Sequence, residues 1–208
     1  MTMRKFLFFI FHFSLFTIIA SAQTRYCVTW QDYLDGQWRE TESGVVLQPS
    51  AKGDALAMEV KAPTKKTATI LRKRVCVMEW QDSLYLNLRP FNTFGDVYVR
   101  AWRIGDKLLF ARQDIAPSHV SIANGDSGIP FSKKSFSSLS RLENLVCYLA
   151  AWDPNREELR MVRVTKEMVL KLLSNHPQQL ADYQATDKKS LENADVVISI
   201  LQKAGVIR

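Results

Sequence analysis

Short segments in which apolar and polar residues alternate, each bounded by turn-forming residues, occupy most of the chain from residue 26 to about residue 164. Successive side chains of a β-strand point to opposite faces of a sheet, so a period of two residues indicates half-buried strands. The connections between these segments are too short to hold crossover helices. The sequence therefore predicts an antiparallel meander over this region.

Three hairpins are predicted within this region. In the second hairpin, Gly105 and Asp106 form a two-residue loop, where glycine is favoured because it accepts a positive φ angle. In the first, apolar residues alternate onto one face of the strand that follows the turn at residues 81–83. The predicted strand pairs are 75–80 with 84–88, 97–104 with 107–112, and 145–152 with 159–164.

In the C-terminal part of the chain, apolar residues recur at the spacing of an α-helix. Thr165 is a favourable N-cap for a first helix, which Pro177 ends. A second, shorter helical turn follows, and a final helix over residues 188–204 ends at Gly205. The apolar residues are Met168, Val169, Leu172 and Leu173 in the first helix, Leu180 and Tyr183 in the turn, and Leu191, Ala194, Ile198 and Leu201 in the last helix.

These patterns together predict an α+β fold, mainly an antiparallel β meander with a C-terminal helical segment. The helical stripes are too narrow to be stable alone, so we expect the helices to pack on the sheet or on each other. The predicted organisation is a signal peptide over residues 1–22, a β-rich domain over residues 23–164, and a helical segment over residues 165–208 packed on the β-rich domain.

Residues 1–22 have the three parts of a secretory signal peptide: a basic start at Arg4 and Lys5, an apolar run over residues 6–20, and a small-residue end at Ala22. The apolar run is shorter than the about 20 residues that span a bilayer. We expect cleavage after Ala22, with an uncleaved anchor as the alternative. The sequence thus predicts a secreted or periplasmic protein with no transmembrane segment after cleavage.

Cys27, Cys76 and Cys147 lie far apart in the sequence, with no paired cysteines and no histidine at the spacing of a metal site. The sequence therefore predicts no zinc site and no thiol redox motif. An oxidising compartment permits one disulfide, and buried free thiols are the alternative. Because three cysteines cannot all pair, at least one stays free.

Charge excludes one class of partner. The chain has a formal net charge of +7, and its basic pairs are scattered along the sequence, as is typical of a solvated surface. Nucleic-acid binding would favour a basic stripe interleaved with aromatic residues, so no nucleic-acid partner is predicted. The basic groups are Lys65 with Lys66, Arg72 to Arg74, Lys133 with Lys134, and Lys188 with Lys189.

Residues 124–130 contain Gly-Asp-Ser-Gly and resemble the nucleophile segment of chymotrypsin-like serine proteases, with Ser127 at the nucleophile position. Acyl transfer by serine needs a histidine base, which in that family lies far upstream. His119 is too close to Ser127 in the sequence, and His176 lies downstream. The segment also resembles the first block of Gly-Asp-Ser esterases. Those enzymes have a late Asp-x-x-His motif, whereas this chain has Leu173 in the aspartate position, three residues before His176. A serine hydrolase using Ser127 is a minor alternative.

No catalytic residue, metal site or cofactor is predicted elsewhere in the chain. Acidic residues occur mainly in turns and on helix surfaces, and only eight glycines are present, with no glycine-rich phosphate loop. Aromatic residues favour a binding function, because an exposed tryptophan can stack on a sugar or pack against a partner, although most such residues fill cores. The candidates are Trp30, Trp38, Trp80, Trp102 and Trp152, with Tyr85 and Tyr98 on neighbouring strands.

Four segments resemble uncharacterised secreted proteins of anaerobic, gut-type bacteria. They are the Trp-Gln-Asp-Tyr-Leu-Asp-Gly motif at residues 30–36, the hairpin at residues 80–85, the Gly-Asp-Lys turn at residues 105–107, and the helix at residues 165–173. The resemblance covers most of the chain after residue 22 and implies no activity.

The leading hypothesis is an exported, non-enzymatic protein that binds an unidentified protein or small molecule, or interacts with the envelope. The alternative is a ligand-binding β-barrel or sheet for a sugar or a small apolar ligand. The hydrolase of Ser127 is the second alternative.

Overall fold

A computed structural model describes residues 23–50, 56–91, 95–113 and 145–208. Ser127 and His119 lie outside these residues, as do the predicted signal peptide and the cleavage position at Ala22. The strands are β1 Arg25–Cys27, β2 Arg39–Glu40, β3 Val46–Pro49, β4 Met58–Lys61, β5 Val77–Trp80, β6 Ser83–Asn87, β7 Tyr98–Ile104, β8 Lys107–Gln113, β9 Leu145–Asp153 and β10 Glu158–Arg163. The helices are α1 Trp30–Leu34, α2 Lys65–Arg74, α3 Lys166–Leu172, α4 Pro177–Ala185 and α5 Ala194–Lys203, with a 3₁₀ helix at Arg89–Phe91.

The described strands form one antiparallel sheet in the order β10-β9-β8-β7-β6-β5-β1-β2. The β3–β4 hairpin joins it where Met58 pairs with Tyr98. The predicted α+β fold and antiparallel meander are confirmed, since β5 to β10 follow one another in both sequence and space. Within the described residues β10 and β2 do not pair, so the sheet is open, and the barrel form of the ligand-binding hypothesis is wrong.

Tight turns hold the predicted hairpins in register. Ser83 pairs with Trp80, so the loop between β5 and β6 contains only Gln81 and Asp82. Both loop residues have positive φ angles, 49° and 56°, as in a type I′ turn whose twist matches that of the strands. Gly105 has a φ angle of +59° in the two-residue loop between β7 and β8, as its sequence predicts.

One face of the sheet packs around what we call the inner core. Phe110 of β8 and Tyr148 of β9 stack at its centre with ring centroids 5.8 Å apart. Helix α1 lies over one end of this core through Trp30 and Tyr33. The 3₁₀ helix contacts the edge strand β10, so the sheet curls around this face. The aliphatic members include Val77, Leu86, Leu88, Val99, Leu108, Val146 and Ala150.

The C-terminal helices cover part of the opposite face and form the helix core. Leu149 of the sheet is buried there with Val169 of α3 and Leu201 of α5. The Tyr183 hydroxyl of α4 donates a hydrogen bond of 2.7 Å to the Leu191 carbonyl, which ties α4 to the turn before α5. The sheet residues of this core are Trp102, Leu109, Ala111, Leu145, Cys147 and Leu149.

The helix boundaries agree in part with those the sequence predicts. Thr165 is the N-cap of α3, and its side chain accepts a hydrogen bond from the Met168 N–H. Helix α4 runs for nine residues, longer than the predicted turn. Helix α5 begins after the N-cap Asn193, later than predicted, and the left-handed Gly205 follows its end.

Two helices that the sequence does not predict lie within the region assigned to the antiparallel meander. Helix α1 is a single five-residue stretch fixed by a capping box between Thr29 and Asp32. Helix α2 begins after the N-cap Thr64 and buries Leu71 on the sheet beside β3 and β4. At its end, the buried Asn87 side chain donates a hydrogen bond of 2.8 Å to the Val75 carbonyl. This third cluster contains Val45, Leu47, Val60, Leu71, Val75, Met78, Tyr85 and Tyr98.

Candidate anion-binding cleft

The structure ranks the five tryptophans that the sequence offers as binding residues. Trp30 and Trp102 are buried, at 4% and 9% exposure. Trp38 is half-buried beneath the Arg25 guanidinium, and Trp80 packs edge-on against Tyr85. Trp152 is exposed at 44% near the end of β9. Four of the five therefore have structural roles, and Trp152 is the exposed one. Tyr85 and Tyr98 are buried too.

A cleft of about 720 Å³ lies at one corner of the sheet, where three distant parts of the chain meet. The β5–β6 turn contributes Asp82, the start of β6 contributes Ser83, and the C-terminal end contributes Arg208. Strand β7 contributes Arg100 and Arg103. The volume of the cleft is within the range of small-molecule sites, which is about 300–1,000 Å³. The remaining lining residues are Leu84, Ala101, Trp102, Gly105, Gly205 and Val206.

Strand register explains why both arginines of β7 line the same cleft. Arg100 and Arg103 have opposite parity along β7, which would place them on opposite faces of a continuous sheet. However, Leu84 of β6 pairs with Ala101, and β6 begins one residue earlier. Arg103 therefore lies beyond the start of β6, exposed at the corner of the sheet.

Aromatic rings hold the two β7 guanidinium groups in place. The Arg100 guanidinium lies 5.4 Å from the centre of the Trp102 ring, and that of Arg103 lies 5.4 Å from the centre of the Tyr33 ring. Such contacts contribute about 0.5–1 kcal/mol at exposed sites. The Arg103 Nε also donates a hydrogen bond of 3.0 Å to the Gly105 carbonyl. This bond uses one N–H of the guanidinium group and leaves the others without a hydrogen-bond partner among the described residues.

The cleft has an excess of positive side-chain charge. Arg100, Arg103 and Arg208 form no ion pair with any carboxylate of the described residues, and Asp82 is the one acidic side chain in the lining. Four other described arginines do form ion pairs, as in the contact of 2.9 Å between Arg163 and Glu192. Unpaired guanidinium groups in a concave surface attract anions, because they offer charge and several N–H donors together.

Tyr33 does not neutralise the positive charge of Arg103, because its side chain is not ionised. Burial raises the pKa of Tyr33 to about 12, so the ring stays neutral at physiological pH. Its hydroxyl is buried and has no hydrogen-bond partner among the described residues. The ring therefore supports Arg103 through its face and supplies no negative charge.

The sequence points to the cleft only weakly. Its one local signal is a four-residue stretch with Arg100, Trp102 and Arg103, which comes shortly before a recognisable hairpin loop. Nothing in the sequence indicates that Asp82 and Arg208 come to the same corner, because each belongs to a distant segment. No candidate catalytic group appears in the lining beyond Asp82 and Ser83, and no histidine does.

The three cysteines are buried and free, which agrees with the second of the two sequence-based alternatives. Cys27 and Cys76 lie in the inner core, and Cys147 lies in the helix core. Burial raises the pKa of all three thiols to about 12. No group of three metal-ligating side chains occurs in the part of the chain that the structure describes. His176 precedes α4 and is half-buried.

Burial of the cysteines predicts a measurable difference in thiol reactivity. In the folded protein none of the three thiols is expected to react promptly with a chromogenic disulfide reagent, because the reactive thiolate is both scarce and inaccessible. In denaturant all three are expected to react. A count of one thiol in denaturant without reductant would show that a disulfide had formed and would contradict this expectation.

The fold and the cleft together define an α+β domain built on an open antiparallel sheet, with a basic cleft at one corner. The chain belongs to a family of unknown function (DUF6563), whose model matches residues 25–208. The sequence-based assignment to an uncharacterised family is confirmed. Comparisons with curated proteins and with solved structures give no match. None of the described helices combines the length and apolar character needed to cross a bilayer.

Proposed function

We propose that the protein is exported and non-enzymatic, and that its cleft binds a small organic anion. The observation that carries this proposal is the pair of aromatic-supported arginines on β7, Arg100 and Arg103, with no carboxylate partner. Export is supported by the signal-like pattern of residues 1–22. A non-enzymatic role is supported by the cleft lining, which offers one carboxylate, one hydroxyl and no histidine base.

Preorganisation favours binding at this site. An arginine that is free in solution loses side-chain entropy when it binds a ligand, about 0.5–1.5 kcal/mol for each immobilised side chain. Trp102 and Tyr33 already restrict Arg100 and Arg103, so part of that loss occurs on folding rather than on binding. The guanidinium fork can then donate two parallel hydrogen bonds to a carboxylate.

The same features favour a charged ligand over an apolar one. Arginine side chains occupy the positions in which a site for an apolar molecule would have aliphatic or aromatic side chains. Trp102 is buried beneath Arg100 and so is not free to stack on a sugar ring. A sugar acid, with one carboxylate and several hydroxyls, matches the donors of the cleft better than a neutral sugar does.

A thermal-shift series tests this proposal. D-galacturonate is expected to raise the Tm of the protein without residues 1–22, whereas D-galactose leaves it unchanged, because only the acid offers a carboxylate to Arg100. Ligand at a hundred times its Kd stabilises a protein by about 2.7 kcal/mol. Inorganic phosphate serves as a second probe, which reports general affinity for anions.

Arg100→Gln is the decisive variant for the cleft. Loss of one charge-assisted hydrogen bond, about 1.5–3 kcal/mol, is expected to weaken galacturonate binding tenfold or more. Arg160→Gln is the matched control, because Arg160 is an exposed arginine of β10 outside the cleft. Equal shifts with galactose and galacturonate, or a full shift in Arg100→Gln, would rule the proposal out.

A further inference from the structure

Helix α2 concentrates positive charge as no other described helix does. Its ten residues, Lys-Lys-Thr-Ala-Thr-Ile-Leu-Arg-Lys-Arg, include five basic side chains and no acidic one. Two of the basic groups that look scattered in the sequence therefore lie on a single helix. Lys65 and Lys66 occupy its first turn, and Arg72 to Arg74 occupy its last.

Most of this charge lies on one face of α2. Lys65 and Arg72 are seven residues apart, as are Lys66 and Lys73, which is two helical turns and so the same side of the helix. All four side chains are exposed, whereas Leu71 is buried against the sheet. We call the surface formed by Lys65, Lys66, Arg72 and Lys73 the basic face.

The two lysines of the basic face at the start of α2 lower the stability of the helix. The N-terminus of a helix has a partial positive charge, so acidic residues are favourable in the first turn and lysines are unfavourable there. Lys65 and Lys66 stand in the first turn, after the N-cap Thr64. Residues that break a local rule for stability without a compensating contact often serve a function.

Little in the described structure neutralises the basic face. None of Lys65, Lys66 and Lys73 forms an ion pair with a carboxylate of the described residues. The acidic side chain at the start of the helix, Glu42, accepts a hydrogen bond of 3.1 Å from the Thr64 hydroxyl instead. Arg72 donates a hydrogen bond of 3.2 Å to the Val60 carbonyl, which is not an acidic group.

We propose that the basic face docks the protein on the surface of an anionic lipid bilayer. Lipid headgroups attract clustered lysines and arginines without any defined geometry, and the attraction decays within a Debye length. The exposed residues of α2 are polar or charged, so the contact is electrostatic and the helix does not insert. Lysine predominates in the basic face and interacts as a point charge, whereas a site for defined carboxylates would favour the arginine fork.

Co-sedimentation with vesicles tests the proposal, using the protein without residues 1–22. Binding is expected to vesicles of phosphatidylcholine mixed with an equal amount of phosphatidylglycerol, and not to phosphatidylcholine alone. Lys65→Glu with Lys66→Glu is expected to weaken that binding at least about tenfold. The same change improves the charge of the first turn of α2, so the variant is expected to fold at least as stably as the parent.

Lys188→Glu with Lys189→Glu is the matched control. It makes the same change in net charge at an exposed pair in the turn before α5, and it is expected to weaken vesicle binding far less. Equal losses in the two double variants, absence of salt-sensitive binding to anionic vesicles, or binding to soluble alginate but not to vesicles would each overturn the proposal. The Lys65 and Lys66 variant is expected to bind galacturonate as the parent does, because the cleft arginines are unchanged. This measurement separates a failure of the membrane proposal from a failure of the cleft proposal.

Discussion

A Phe110→Ala variant is expected to lose about 3–5 kcal/mol of its free energy of unfolding, the usual range for removing a phenylalanine from a core. Phe110 is fully buried at the centre of the inner core and stacks on Tyr148. Its truncation leaves a cavity on the inner face of the paired strands β8 and β9, and the surrounding structure relaxes only partly around such a cavity. A typical domain has only about 5–15 kcal/mol of stability in total, so the loss is a large fraction of it.

Chemical denaturation followed by tryptophan fluorescence measures this loss. Val162→Ala is the control, since Val162 lies on β10 and is 54% exposed, and its effect is expected to stay within about 0.5 kcal/mol. Similar losses in the two variants would show that Phe110 is not at the centre of a packed core.

A chain that ends at Val164 is expected to lose cooperative folding altogether. Helices α3 to α5 cover the helix core, and their removal would expose Leu109, Cys147 and Leu149, which are all buried. Each large apolar side chain contributes about 1.5–3 kcal/mol when fully buried. Removing the helices also removes the burial energy of their own side chains in this core. The total burial energy lost exceeds the free energy of unfolding of a typical domain.

Near-ultraviolet circular dichroism and a thermal melt of residues 23–164 test this expectation. Loss of the aromatic signal and of a sharp transition is the expected result. A sharp transition in the truncated chain would show that the β-rich region is an independent domain and that the helical segment is an appendage. Leu201→Ala in the chain of residues 23–208 gives a milder version of the same test, with an expected loss of about 2–5 kcal/mol.

Local patterns made the central hairpins predictable. The strands β5 to β10 carry a two-residue period, and the first two hairpin turns contain Asp82 and Gly105, residue types that accept positive φ angles, so a short stretch of sequence specifies each of these hairpins. Gly205 and Thr165 likewise mark helix ends through backbone chemistry alone.

Helices α1 and α2 escaped prediction for different reasons. A five-residue helix such as α1 is too short to show a period, and its capping box of Thr29 and Asp32 was its only signal. Helix α2 buries one residue fully, Leu71, so its apolar stripe is faint and its lysines and arginines suggest a solvated loop. The placement of β1 between β5 and β2 depends on contacts between distant residues.

The cleft could not be predicted because it is a tertiary feature. Asp82, Arg100 and Arg208 come from separate segments, and the register of β6 against β7 brings Arg103 to the open corner. Sequence patterns report local conformation and burial, whereas the position of an unpaired charge depends on how the elements pack. The tryptophans that stand out in the sequence mostly fill the cores or support arginines.

A nuclear magnetic resonance titration with D-galacturonate tests the central claim, anion binding in the cleft, most directly. The account predicts saturable shifts of the Gly105 and Gly205 amide signals and of the Trp102 indole signal, all from residues that line the cleft. The indole signal of the exposed Trp152, outside the cleft, should stay in place. Shifts confined to α2 or Trp152, or shifts that never saturate, would contradict the account.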